Sequence, residues 1–96
     1  MRVADFQEQM RRLYGAKDAA RGLHGTTVWF VEEAGELARA VRRDEGVAEE
    51  LADVVAWAAS IANLKGIDLE AALRAKYPGP CGRCGASPCA CVERQG

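Results

Sequence analysis

The sequence predicts an all-α protein: four helices that close into a bundle by pairing with another copy, followed by a small C-terminal zinc knuckle. Three observations carry that expectation. Apolar residues recur at helical steps as far as about Lys76, and no run shows strand alternation. One expected helix, Val47 to Lys65, is apolar on nearly every side, and a chain of 96 residues has little in which to bury it. All four cysteines lie between Cys81 and Cys91, beyond a Tyr77-Pro78-Gly79-Pro80 break. The chain reads as a helical domain over residues 1–77 and a cysteine-rich tail over residues 78–96.

The first helix is amphipathic through Val3, Phe6, Met10 and Leu13. Residues 15–25 hold three glycines and read as a loop or a broken helix end. Thr26 or Thr27 can cap a second helix ending at Arg42 or Arg43, where the macrodipole favours Arg39, Arg42 and Arg43. Asp44-Glu45-Gly46 makes a turn. The third helix runs to Lys65 and stops at Gly66. Its Leu51, Val54, Val55, Ala58 and Ile61 cover one side, and Ala52, Ala56 and Ala59 another, leaving Glu50, Asp53, Ser60 and Asn63 as nearly its only polar groups. The alanines allow close helix approach, and a dimer would bury the rest. Asp68 caps a short fourth helix, Leu69 to Lys76.

Net charge is −1, from 13 basic and 14 acidic residues, so no basic excess exists to hold a nucleic-acid polymer. No apolar run is long enough to span a membrane, and the N-terminus lacks a signal-peptide segment. A cytoplasmic, reducing location is expected, with the cysteines read as thiolates or metal ligands before disulfides.

The chemistry lies in two carboxylate pairs. Glu33 and Glu36 stand three apart in Glu32-Glu33-Ala34-Gly35-Glu36, and Glu50 and Asp53 three apart in Glu49-Glu50-Leu51-Ala52-Asp53. Residues three apart share a helix face, so antiparallel neighbours joined by the Asp44 turn would converge four carboxylates. Such a group repels itself unless a hard cation intervenes, and Mg2+ is the expected occupant. A pair of glutamates on a helix is usually a solvated face. Here the second pair sits on an otherwise apolar helix, where a buried carboxylate needs a partner or a metal. Trp29 shares the Glu33 face and Trp57 the Glu50 face, which suits a ligand with an anionic part and a flat aromatic part, as in a nucleotide.

EEAGELARA followed by EELADVVAW resembles the paired EExxE and ExxD motifs of the MazG-type nucleotide pyrophosphohydrolases, and similarity extends over roughly residues 5–77. Lys17-Asp18, Arg21-Gly22, Thr26 and Trp29 before the motifs resemble the lead-in of small single-domain members, and Ile67-Asp68-Leu69 and Lys76-Tyr77 fit after them. The resemblance implies Mg2+-dependent hydrolysis of a nucleoside triphosphate to monophosphate and pyrophosphate, a nucleotide-pool house-cleaning activity. It implies Glu33, Glu36, Glu50 and Asp53 as Mg2+ ligands, with Glu32 or a ligand carboxylate as the base acting on water. Lys17, Arg21 and Lys76 become candidate phosphate contacts, against a reading as plain surface charges. Trp29 and Trp57 become candidate stacking residues, with core the favoured reading for Trp57. His24 reads as a loop residue rather than a catalyst.

Cys81, Cys84, Cys89 and Cys91 form a CxxC-x4-CxC cluster, and Cys81-Gly82-Arg83-Cys84-Gly85 has zinc-knuckle form. A set of four thiolates matches a closed, structural Zn2+ site. Two disulfides or an iron–sulfur cluster are the alternatives. Against the NTP pyrophosphohydrolase stand two other readings: phosphoribosyl-ATP pyrophosphohydrolase, and a non-catalytic zinc-containing helical interaction module. A homodimer or homotetramer is expected in each enzyme case.

Overall fold

The computed structural model describes residues 1–93. It holds three helices and, among the described residues, no strand: α1 Val3–Arg43, α2 Val47–Lys65 and α3 Leu69–Lys76. The first two expected helices are thus one element with a break. Only Gly22 leaves helical geometry, at φ 85° and ψ 167°, which divides α1 into two arms. Of the two readings for residues 15–25, the broken helix holds and the loop does not form. Ala16, Ala19 and Ala20 are strong helix formers. Across the break, Arg21 staples the arms by donating from Nη1 to Asp18 Oδ1 (3.0 Å) and to Thr26 Oγ1 (3.2 Å). Thr26 is therefore a fully buried tie rather than a cap. Thr27 donates back to the Leu23 carbonyl at 2.8 Å, inside the helix. His24 likewise lies on α1 and is exposed.

The two turns follow the sequence. Asp44 adopts the left-handed conformation at φ 54°, and the Glu45 N–H closes onto the Ala40 carbonyl at 3.1 Å. Gly66, at φ 66°, ends α2, and the Ile67 N–H returns to Ala62 at 2.9 Å. Asp68 accepts from the Ala71 N–H at 3.0 Å and caps α3. Gln7 on α1 ties this corner down. It donates to Asn63 Oδ1 and the Ile67 carbonyl and accepts from the Leu69 N–H at 2.9 Å.

The core lies between α1 and α2, where Met10 and the small residues Ala40, Ala59 and Ala62 are buried. Ala59 is fully enclosed, which is the close helix approach that the alanine face allows. The other flank of α2 lacks cover from the described residues: Leu51 and Val55 stay 49% and 51% exposed. They lie beside Val3, Phe6 and Leu69 in an apolar depression.

Candidate functional site

The Asp44–Gly46 turn folds α2 back along the C-terminal arm of α1, and this brings acidic residues of both helices together. Glu33, Glu50 and Asp53 each offer a carboxylate oxygen, and the three oxygens lie within 4.8 Å of one another. Glu33 and Glu50 are half-buried, and Asp53 is exposed. Glu50 Oε2 is enclosed and has no hydrogen-bond partner among the described residues. An orphaned carboxylate oxygen is costly to bury, and a bound cation would offset that cost. Burial, followed by the charges of Asp53, Glu50 and Glu36, pushes the Glu33 carboxyl above its ordinary value of 4.5. Glu36 lies outside the three-oxygen group and approaches Arg39 at 3.7 Å. It shares a 280 Å³ hollow with Glu50, Arg39 and Arg43. Glu32 is exposed.

On the other side of the group, a cleft of 360 Å³ opens between the N-terminal arm of α1 and α2. Met10, Tyr14, Lys17, Asp18, Arg21, Asp53, Ala56, Trp57 and Ser60 line it. Asp53 belongs to both the cleft and the carboxylate group. Trp57 is half-buried rather than enclosed core. Its ring stacks on Trp29 at 6.0 Å and 12°, and the Arg21 guanidinium lies 4.8 Å from the ring centroid. Lys17 and Arg21 are therefore cleft residues, whereas Trp29 is exposed, does not line the cleft and meets it only through the Trp57 ring. Lys76 is elsewhere: it lines a hollow with Tyr77, Arg83 and three of the cysteines. Tyr14, Asp18 and Ser60 reach the site without having been singled out for it. Asp18 beside Lys17, and Ser60 as a rare polar group on α2, were the available signals.

The cysteine sulfurs also converge, all within 4.8 Å of one another and none in a disulfide. Cys81 Sγ lies 3.7 Å from Cys91 Sγ. Backbone N–H groups of Arg83, Ala90 and Cys91 donate to Cys81, Cys84 and Cys89 at 3.3–3.4 Å. Backbone amides at Cys84 and Arg83 pull the Cys81 thiol down to about 6, whereas its sulfur neighbours, Cys89 first, push Cys91 up to about 11. Charge on one sulfur discourages it on the next, and a thiophilic cation would relieve that opposition. The cluster could hold zinc.

The model of the MazG nucleotide pyrophosphohydrolase domain matches residues 21–78, more than half of the chain. The chain belongs to the MazG nucleotide pyrophosphohydrolase family. That span contains both acidic motifs and ends just before Cys81. A search of curated proteins finds no match. Family membership supports nucleotide pyrophosphohydrolase activity in general, with a nucleotide substrate and a divalent metal. No helix among the described residues is long and apolar enough to cross a membrane.

Proposed function

We propose that the protein is a Mg2+-dependent nucleoside triphosphate pyrophosphohydrolase that releases the monophosphate and pyrophosphate. The observation that carries the reading is the carboxylate group, in which two helices turn three acidic side chains on one point and leave a buried Glu50 oxygen unpartnered among the described residues. All its donors are hard oxygens, which suits Mg2+ over softer ions. Glu33, Glu50 and Asp53 would hold the ion, with Glu36 one turn along α1 as the fourth ligand. Bound there, Mg2+ would offset negative charge on the phosphate oxygens.

The chain's own residues do the rest. Glu32, or a ligand carboxylate, orients a water and takes its proton. Lys17 and Arg21 contact the substrate from the cleft wall, and Trp29 supports the aromatic surface presented by Trp57. Lys76 belongs to the same proposed set. Its place beside the cysteine tail means that it acts there only with the C-terminal segment or a second copy brought to the cleft.

The reading includes a homodimer or homotetramer, supported by the uncovered Leu51 and Val55 flank, and a cytoplasmic location, in keeping with four clustered cysteines that suit a metal before disulfides. It also includes one structural Zn2+ on Cys81, Cys84, Cys89 and Cys91. Sedimentation equilibrium at low micromolar protein should find a dimer or larger, and a monomer would refute that part. The activity test is a nucleotide panel with Mg2+. Pyrophosphate, not phosphate, should be released, and a wild-type chain that releases neither from any nucleotide would refute the enzyme reading.

A further inference from the structure

We infer that Asp18 is the residue that reads the nucleobase in the Trp57 cleft, accepting a hydrogen bond from an N–H on the base edge. This rests on the proposed nucleotide site. Two independent observations carry it. The first is the cleft itself, which shares Asp53 with the carboxylate group and has the Trp57 ring in its wall. A phosphate chain held at the carboxylates would therefore leave its base beside an aromatic face. The second is Asp18, a cleft residue only 2% exposed. Its Oδ1 accepts from Arg21 at 3.0 Å, whereas Oδ2 is enclosed and has no partner among the described residues.

A buried acceptor left unpaired is a standing cost, and a ligand donor removes it. Holding Arg21 in place requires only one oxygen, so the staple across Gly22 leaves the other for a ligand. The terminal torsion of an aspartate is soft, so a small rotation turns Oδ2 to the cleft wall without breaking the helix. Every common base carries an N–H on its pairing edge. A carboxylate accepts and never donates, whereas Arg21 and Lys17 beside it only donate. Asp18 thus fixes where the base must place a donor, and the cations fix where it must place acceptors. That arrangement ranks bases by edge pattern.

The test needs no turnover. Trp29 and Trp57 are the only tryptophans in the chain, so quenching of their fluorescence reports occupancy of the cleft. The probes are the four common nucleoside monophosphates, with ribose 5-phosphate as the base-free control. In Asp18→Asn the amide will keep its oxygen toward Arg21 and place NH₂, a donor, where Oδ2 was. Wild type should prefer one base over the least favoured by at least about fivefold, and Asp18→Asn should compress that ratio to about twofold or reorder it. Binding of ribose 5-phosphate should change by less than about twofold. If circular dichroism finds Asp18→Asn unfolded, Asp18→Glu is read by the same ratio, since its carboxylate stays but moves by one methylene. No preference in wild type, an unchanged ratio in the variant, or an equal loss for all ligands including ribose 5-phosphate would each overturn the inference. Base-selective binding without pyrophosphate release would refute the proposed hydrolysis and leave the role of Asp18 standing.

Discussion

Asp53→Asn should raise the stability of the metal-free protein and abolish its stabilisation by Mg2+. The substitution removes one of three negative groups whose oxygens lie within 4.8 Å. Like unit charges 4.8 Å apart repel by about 3.5 kcal/mol at an effective dielectric of about 20, and by about 0.9 kcal/mol in bulk water. Asp53 is exposed, so water screens it and the lower end applies. Against both neighbours together, relief of about 1–2 kcal/mol is expected. For a domain of this size each kcal/mol moves Tm by about 4–8 °C, so the variant should melt about 4–16 °C above wild type in EDTA. Saturating Mg2+ reverses the order. Wild type gains about 2.7 kcal/mol when the ion stands at a hundred times its Kd, and the variant, with a ligand lost, gains little. Thermal melts followed by circular dichroism at neutral pH, with EDTA and with Mg2+, measure both effects, and pyrophosphate release is lost in the same variant. A variant that melts below wild type in EDTA, or an equal Mg2+ shift in both proteins, would refute the reasoning.

Three further outcomes are expected. Glu33 holds its proton to higher pH in the fold than the ordinary 4.5 of the unfolded chain, so metal-free stability should fall as pH rises from about that value through the folded-state one. Glu33→Gln should flatten that slope in EDTA melts, and an unchanged slope contradicts the assignment. Gly22→Ala forces a side chain onto φ 85° and ψ 167°, and since nothing lies within 4 Å of the added carbon the cost is backbone strain alone. About 1–3 kcal/mol should be lost as a lower denaturant midpoint at unchanged slope, and an unmoved midpoint counts against it. Metal analysis of protein purified without added metal should find one Zn2+ per chain, and Cys84→Ser should release it while the helical signal of α1 and α2 survives. Quantitative disulfides under reducing conditions would overturn that expectation.

Much of the fold was legible because its signals are local. The stops at Asp44 and Gly66, the Asp68 cap and the span of α2 each depend on residues within one turn of the boundary, and the structure places them where the sequence does. Residues 15–25 were legible only as a loop or a broken helix end, because glycine marks where a helix is permitted to break, not where it does. The choice of Gly22 over Gly15 and Gly25 is made by the staple from Arg21 to Asp18 and Thr26. Side chains on both sides of the break must be placed before that tie exists.

The candidate site divides in the same way. By itself the sequence determined the helical class, the pairing of acidic motifs three residues apart, and the grouping of the four cysteines, because helix periodicity and chain proximity fix which side chains share a face or a short loop. Only the tertiary structure decided that Glu33, Glu50 and Asp53 form the tight group while Glu36 approaches Arg39. It alone put Trp57 in a cleft wall and left Asp18 Oδ2 and Glu50 Oε2 without partners among the described residues. Those outcomes depend on the rotation and approach of α1 against α2. Packing of Met10, Ala40, Ala59 and Ala62 between the helices sets that approach, and sequence spacing along either helix does not encode it.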